Sequence, residues 1–344
     1  MKHIERFLAT VERKPVDRPA AWLGLPTGEA MPGLLSCFGA DDIAEVKKII
    51  DDDIWPIEVP YHCPPANHIA CAFDFAKKNS AGYEGRTLTT PGFFEDIDDP
   101  ARIDEFRWPD PVEHMAPDEC RKTVAAAPPE YAVMGIMWSA HFQDACAAFG
   151  METALMRMIE APELFQAVID RITEFYLKAN KIFYESCGKR MHTVLIGNDF
   201  GSQTSLMVSP ELLRRFVFPG TTKLVEQAKS YGYKVIHHSC GAIRDVIPDL
   251  ITLGVDVIHP VQALAAGMNP AGLKKDFGDR VSFCGGIDAQ DLLVRGTPAE
   301  VYAKAMEIRK IFPTGFIVSP SHEAILPDIP VDNIKALFEA CVNM

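Results

Sequence analysis

Residues 237–241 read His-His-Ser-Cys-Gly and follow an apolar run that is typical of a β-strand. Because residues two apart on a strand project from the same face, His238 and Cys240 can bind one metal ion together. Zinc takes thiolate and imidazole ligands readily, and three protein ligands with one open position are typical of a catalytic zinc site. The alternative is that Cys240 is only a small buried residue of the core. His237, facing outward, and the later His259 are predicted to be structural, with their rings bound to backbone carbonyls.

A third zinc ligand must come from another part of the chain. His322 is the preferred residue, because the sequence Ser-Pro-Ser-His-Glu places it at the end of a later predicted strand, level with Cys240. Cys284 is the reserve ligand, with packing as its alternative role. Gly285 and Gly286 follow it directly, and glycines in a strand suggest a close approach of the backbone to a ligand, so both are predicted to contact a cofactor.

Other polar residues follow predicted strands in the same way. Asp199 ends an apolar run, where a carboxylate is costly unless a partner engages it. We therefore expect Asp199 and Gln203 to orient a small substrate, with orientation of a metal ligand or a capping role as the alternatives for Asp199. Glu323 is expected to be a fourth zinc ligand or a proton carrier, and Asp288 is expected to anchor the loop after Gly-Gly-Ile at the cofactor.

The elements that would position these residues alternate along the chain between short apolar runs and segments of helical periodicity. The predicted strands are 20–27, 54–61, 131–140, 192–201, 234–242, 255–263, 281–289 and 315–324. This α/β pattern predicts one domain over residues 1–344, a (β/α)8 TIM barrel with an N-terminal helical extension over 1–19 and an irregular segment, 81–129, over the barrel mouth. Active sites of such barrels lie at the C-terminal ends of the strands, where the polar residues above converge.

Composition narrows the classes of partner. The formal net charge is −13 and no basic run is present, which argues against nucleic acid and against an anionic membrane surface. No apolar run reaches the roughly 18 residues of a membrane span. The nine cysteines lack the spacing of a disulfide scaffold, so we expect reduced thiols and a cytoplasmic location. A small-molecule substrate or a protein is the expected partner, and the sequence leaves open whether the chain forms a homodimer.

Over nearly its whole length the sequence resembles the uroporphyrinogen decarboxylase superfamily, which also contains the zinc- and corrinoid-dependent methyltransferases. Members of this superfamily are (β/α)8 barrels. The segments that carry the resemblance are RFLATVERKPVDRPA, FGMETALMRMIEAPEL, SPELLRRFVFPG, HHSCGAIRDVIPDLITLGVDVIHPVQ, FCGGIDAQDLL and SPSHEAILPDIPVDNI.

The resemblance is nearer to the methyltransferase branch. True decarboxylases carry an arginine-rich stretch after the first strand that holds substrate carboxylates, but this chain reads WLGLPTGEAMPG there and has no arginine from Pro19 to Gly85. The methyltransferases carry a His-x-Cys pair, matched by His238 and Cys240, and a third ligand far downstream. Coenzyme M members have a cysteine near the last strand end, whereas this chain has only Ser319, Ser321, His322 and Glu323.

The resemblance implies a zinc-dependent methyltransferase that moves a methyl group between a heteroatom of a small substrate and a corrinoid, in a direction left open. The sequence shows no corrinoid-binding module, so the corrinoid is expected on a partner protein. The alternative is decarboxylation of a porphyrinogen or another polycarboxylate, which would need other arginines to hold the carboxylates. A barrel that binds a metal or ligand without catalysis is the third hypothesis.

Overall fold

The computed structural model describes residues 1–64, 66–76 and 89–342. Its strands are short, as is usual in barrels of alternating strands and helices. They are β1 (Leu25–Pro26), β2 (Ile54–Glu58), β3 (Ala132–Trp138), β4 (Thr193–Gly197), β5 (Lys234–His238), β6 (Val257–Val261), β7 (Ser282–Ile287), β8 (Phe316–Pro320) and β9 (Ala324–Ile325).

Strands β2 to β8 form one parallel sheet in the order of the chain. The segment 20–23 closes this sheet into a barrel, because it bonds to β8 on one side and to the start of β2 on the other. Trp22 N donates to Val318 O at 3.0 Å, and Asp53 N donates to Ala21 O at 3.1 Å. The predicted barrel is thereby confirmed.

The helices surround this barrel. In the described residues they are His3–Val11, Met31–Phe38, Ile43–Ile49, Pro111–His114, Pro117–Ala126, His141–Phe149, Met151–Glu160, Pro162–Cys187, Pro210–Leu212, Phe218–Ser230, Ile247–Thr252, Pro270–Phe277, Leu292–Arg295, Pro298–Ile311 and Val331–Val342, with a π-helical stretch, Leu213–Val217, and 3₁₀ turns at Ile69–Cys71, Pro100–Glu105, Gly188–Arg190 and Arg244–Val246. None of them has both the length and the apolar character that a membrane crossing requires.

Two apolar clusters separate the inside of the barrel from its helical layer. The inner cluster takes alternate residues of the strands, as the two-residue period of a strand requires: Ala132, Met134, Ile136, Leu195, Ile236, Val257, Cys284 and Ile317. Phe7 and Val11 of the first helix join this cluster and fill the end of the barrel where the strands begin. The predicted N-terminal helical extension is therefore part of the core.

The predicted strands 54–61, 131–140, 192–201, 234–242, 255–263, 281–289 and 315–324 each contain an observed strand. The predicted strand 20–27 is irregular: it contributes the closing segment 20–23 and then the two residues of β1, which pair with β9.

The irregular segment 81–129 was expected over the barrel mouth, and its residues 81–88 lie outside the described part of the chain. The described remainder packs in the outer layer. Phe94 contacts Phe149 at 5.8 Å between ring centroids, and Lys178 of the long helix Pro162–Cys187 binds Asp110. The position of segment 81–129 over the barrel mouth stays a prediction.

Gly197 sets the distance between β4 and β5. A Cβ atom at this position would lie 2.1 Å from the backbone oxygen of His238 and 2.6 Å from its nitrogen. We expect Gly197→Ala to lower the free energy of unfolding by about 1–3 kcal/mol, because the two strands must separate. Urea denaturation followed by circular dichroism measures this loss.

The control is Gly33→Ala in the helix Met31–Phe38. There an added Cβ meets no described atom within 4 Å outside the helix's own backbone, and alanine favours the helical conformation. This variant is expected to be at least as stable as the wild type. Equal losses in the two variants would contradict the close contact between β4 and β5.

Candidate metal centre

The strand ends bring the predicted ligands to one place. His238 is the last residue of β5, and its side chain projects on the same side as Ile236 of the inner cluster. Cys240 follows two residues later, and His322 follows the end of β8. All three residues therefore lie at the C-terminal end of the barrel, where the predicted site was placed. The group of potential ligands that contains His238 and Cys240 has Asp199 as its third member, and His322 belongs to no such group in the described residues.

Cys240 lies beside the imidazole of His238, with its Sγ 3.5 Å from Nε2. His322 also influences the ionisation of this thiol. Burial alone would raise the pKa of the Cys240 thiol, but the hydrogen bonds with the two histidines lower it below its usual value. Nδ1 of His322 accepts a hydrogen bond from the backbone nitrogen of Ala324 at 3.1 Å, so Nδ1 is engaged away from the thiol.

Asp199 contacts both members of the His-x-Cys pair. Its Oδ1 accepts a hydrogen bond from Cys240 N at 2.8 Å and lies 3.2 Å from His238 Nε2. Burial opposes ionisation of this carboxyl, but the hydrogen bond from His238 and its charge bring the pKa of Asp199 down to about 2. Gln143, in the first turn of the helix His141–Phe149, donates to Oδ2 at 3.1 Å. The structure thus connects Asp199 to the site, whereas its predicted contact with substrate stays a prediction.

His238 and Cys240 fit a zinc ion as a pair of ligands, and Asp199 is the third potential donor beside them. One donor atom each from Asp199, His238 and Cys240 lies within 4.8 Å of the others. A nitrogen and a sulfur bound to the same tetrahedral zinc ion are about 3.5 Å apart, which is the separation of His238 Nε2 and Cys240 Sγ. Thiolate and imidazole are also the ligand types that zinc prefers.

The other edge of the His238 ring faces a second group of polar side chains. Its Nδ1 is 3.1 Å from Nδ1 of His259 and 3.5 Å from Oε2 of Glu323. Glu323 therefore approaches the ring from the edge opposite Cys240, which does not place it beside the thiol as a fourth ligand. Its predicted role as a proton carrier stays a prediction.

The prediction that backbone carbonyls bind His237 and His259 is wrong. Both ring nitrogens of His237 and Nε2 of His259 are buried without a hydrogen-bond partner in the described part of the chain. His237 does face outward, where it stacks on Phe200 at 5.5 Å, and burial lowers its pKa to about 3. His259 belongs to the site, since β5 and β6 pair it directly with His238.

The reserve ligand Cys284 lies elsewhere. It is fully buried among the apolar side chains of the barrel interior, where burial raises the pKa of its thiol, and it belongs to neither group of potential ligands in the described residues. Packing explains the glycines that follow: Cβ atoms at Gly285 and Gly286 would lie 2.7 Å from Val261 N and 2.8 Å from the ring of Phe316. Their predicted contact with a cofactor stays a prediction.

Two other predicted residues hold loops in place. The carboxylate of Asp288 accepts hydrogen bonds from the backbone nitrogens of Asp291 at 2.8 Å and Leu292 at 2.9 Å, so it anchors its loop as expected. Gln203 is exposed and donates to Oε1 of Gln262 at 3.2 Å. The same Oε1 accepts from Gly241 N at 2.9 Å, so this pair supports the turn after Cys240.

Sequence reasoning missed Trp138. It ends β3, and its ring meets that of His238 edge-on at 5.7 Å. Trp138 and Ser139 have positive φ angles of 52° and 54°, which are uncommon for residues other than glycine and concentrate at functional sites. The missed signal is the position of Trp138 at a predicted strand end, because its type suggests packing more than chemistry.

Residues 79–344 match the family profile described as uroporphyrinogen decarboxylase (URO-D). The chain belongs to this family. The match confirms the resemblance, and it includes β3 to β9 and with them every residue of the metal centre described above.

Two relatives of this URO-D family member are methyltransferases. A curated methylated-thiol–coenzyme M methyltransferase of Methanosarcina mazei is 25% identical over 280 residues, 80% of this chain and 69% of the relative. A solved structure, a methyltransferase from the same organism, superposes with a TM-score of 0.67 at 18% identity, over 99% of this chain and 98% of that one. The first relative confirms the predicted placement near the methyltransferase branch, and the second shows a shared fold.

Proposed function

We propose that this protein is a zinc-dependent methyltransferase, which moves a methyl group between a heteroatom of a small substrate and a corrinoid on a partner protein. The observation that carries the proposal is the pair formed by Cys240 Sγ and His238 Nε2, which lie 3.5 Å apart at the C-terminal end of the barrel. The curated methyltransferase relative supports the same reaction class.

His238 and Cys240 would hold the ion, with His322 as the proposed third ligand, while Asp199 is the third donor grouped with them in the described residues. Zinc bound there would act as a Lewis acid that lowers the pKa of a bound thiol, or polarises the heteroatom that carries the methyl group. Asp199 fixes the backbone at Cys240, and Trp138 forms one wall beside His238. The side chain of His322 is 42% exposed, which supports access for a substrate and for a methyl carrier from outside.

The decarboxylase alternative gains no support from the arginines near the start of the chain. Arg6 and Arg18 both bind Asp53 at the opposite end of the barrel, where the strands begin. No arginine lies between Pro19 and Gly85 to hold a polycarboxylate. The methyl-transfer proposal therefore has the stronger basis in the residues of the site.

Metal content and methyl transfer test the proposal together. The wild-type protein, purified without added metal, is expected to contain about one zinc ion per chain by atomic emission. With methylcob(III)alamin and a panel of thiols under anaerobic conditions, we expect thiol-dependent loss of the methylcobalamin absorbance. Absence of zinc together with turnover of a carboxylated tetrapyrrole would instead establish the decarboxylase.

A further inference from the structure

We propose that His259 is a positioning residue that fixes the tautomer of His238, by accepting a hydrogen bond from its Nδ1, and thereby presents Nε2 to the metal. This inference rests on the metal site of the proposed function. It concerns a residue whose type and position on a predicted strand indicated only a structural role.

A metal ion bound at Nε2 of His238 leaves one consistent arrangement of protons on the two rings. Nδ1 of His238 and Nδ1 of His259 are 3.1 Å apart, which is a hydrogen-bond distance, so one of them donates and the other accepts. A nitrogen that binds zinc carries no proton. If Nε2 of His238 faces the metal beside Cys240, its proton is on Nδ1, and His259 is the acceptor.

The surroundings of His259 hold it in that role. The residue is fully buried, and its ring lies 5.2 Å from that of Trp22 at an angle of 55°. The proton of His259 is then on Nε2, which has no hydrogen-bond partner in the described residues. The pairing of the two Nδ1 atoms is therefore the hydrogen bond that the described residues provide for this ring.

Glu323 is the competing acceptor. Carboxylates are common partners of metal-binding histidines, and Oε2 of Glu323 is 3.5 Å from Nδ1 of His238. That distance exceeds a normal nitrogen–oxygen hydrogen bond, and Oε2 makes none in the described part of the chain. The geometry therefore assigns the hydrogen bond to His259, and Glu323 contributes its charge.

Metal affinity of three variants tests the assignment. His259→Leu removes the acceptor and is expected to weaken zinc binding about 10- to 100-fold in a chelator competition. His259→Asn places an amide oxygen near the position of Nδ1 and is expected to retain affinity within about threefold. Glu323→Gln is expected to lose less affinity than His259→Leu. Thermal unfolding checks that each variant is folded, and His259→Phe replaces the leucine variant if that one is not.

Cobalt substitution adds a second measurement, the visible spectrum of the bound Co²⁺, which a general loss of stability would not change. The visible spectrum of Co²⁺ with wild type and with His259→Asn is expected to show the same thiolate charge-transfer band. Wild-type affinity in His259→Leu, or a larger loss in Glu323→Gln, would overturn the role of His259. An altered spectrum in His259→Asn would make His259 itself a ligand. A wild-type protein that binds neither metal would instead refute the metal centre of the proposed function.

Discussion

Replacing Cys240 with alanine is expected to remove the bound zinc and to reduce methyl transfer by more than about 100-fold. The estimate follows from the effect of residues that only support a metal ligand, whose loss already costs about 10- to 100-fold. Cys240 is held by His238 and by Asp199, so its thiol is central to the ligand set. Zinc content by atomic emission and the methylcob(III)alamin assay measure the two effects.

Cys284→Ala is the matched control, because it removes the same chemical group from the barrel interior. It is expected to retain zinc and activity and to lower the free energy of unfolding by about 1 kcal/mol, through loss of packing. Loss of zinc in Cys284→Ala with retention in Cys240→Ala would contradict the assignment. His322→Ala distinguishes the third ligand: it is expected to lose zinc as Cys240→Ala does, whereas Cys284→Ala is not.

The ligand pair could be predicted because its geometry is local. The two-residue period of a strand puts His238 and Cys240 on one side, whatever the rest of the fold does. The same reasoning predicted only that His322 lies at a strand end. That it lies at the same end of the molecule as Cys240 depends on the closure of the barrel. The alternation of apolar runs and helical segments was sufficient to predict the barrel, because seven of the runs are ordinary strands.

The missed residues depend on contacts between strands. His259 faces His238 because β5 and β6 pair in one register, and a single sequence does not specify that register. The same limit applies to Cys284, whose side chain faces the apolar interior at a level below the strand ends. Gln143 reaches Asp199 from the helix that follows β3, a contact between residues 56 apart in the chain.

Asp53→Asn is expected to lower the free energy of unfolding by about 3–5 kcal/mol, the usual cost of removing one partner from a buried ion pair. The Asp53 side chain is fully buried and binds Arg6 and Arg18, each at 2.7 Å, and His3 at 2.9 Å. It also accepts a hydrogen bond from the backbone nitrogen of Ala21 at 2.9 Å. One carboxylate thus connects the first helix to the segment that closes the barrel. Its removal leaves two buried guanidinium groups with less negative charge to balance their own.

The pH dependence of this loss identifies its cause. Burial opposes ionisation of Asp53, but the hydrogen bond with His3 and the charges of the two arginines lower its pKa in the folded protein. A depressed pKa contributes stability above the unfolded value, about 3.9, and loses it as the pH falls toward the folded value. In urea denaturation, the difference in the free energy of unfolding between wild type and Asp53→Asn should therefore be constant near neutrality and become smaller below about pH 4.

Asp51→Asn is the control, because Asp51 also binds Arg18 but is 41% exposed. This substitution should lower the free energy of unfolding by no more than about 1 kcal/mol. Equal losses in the two variants would mean that burial of the Asp53 carboxylate does not determine the stability of this end of the barrel.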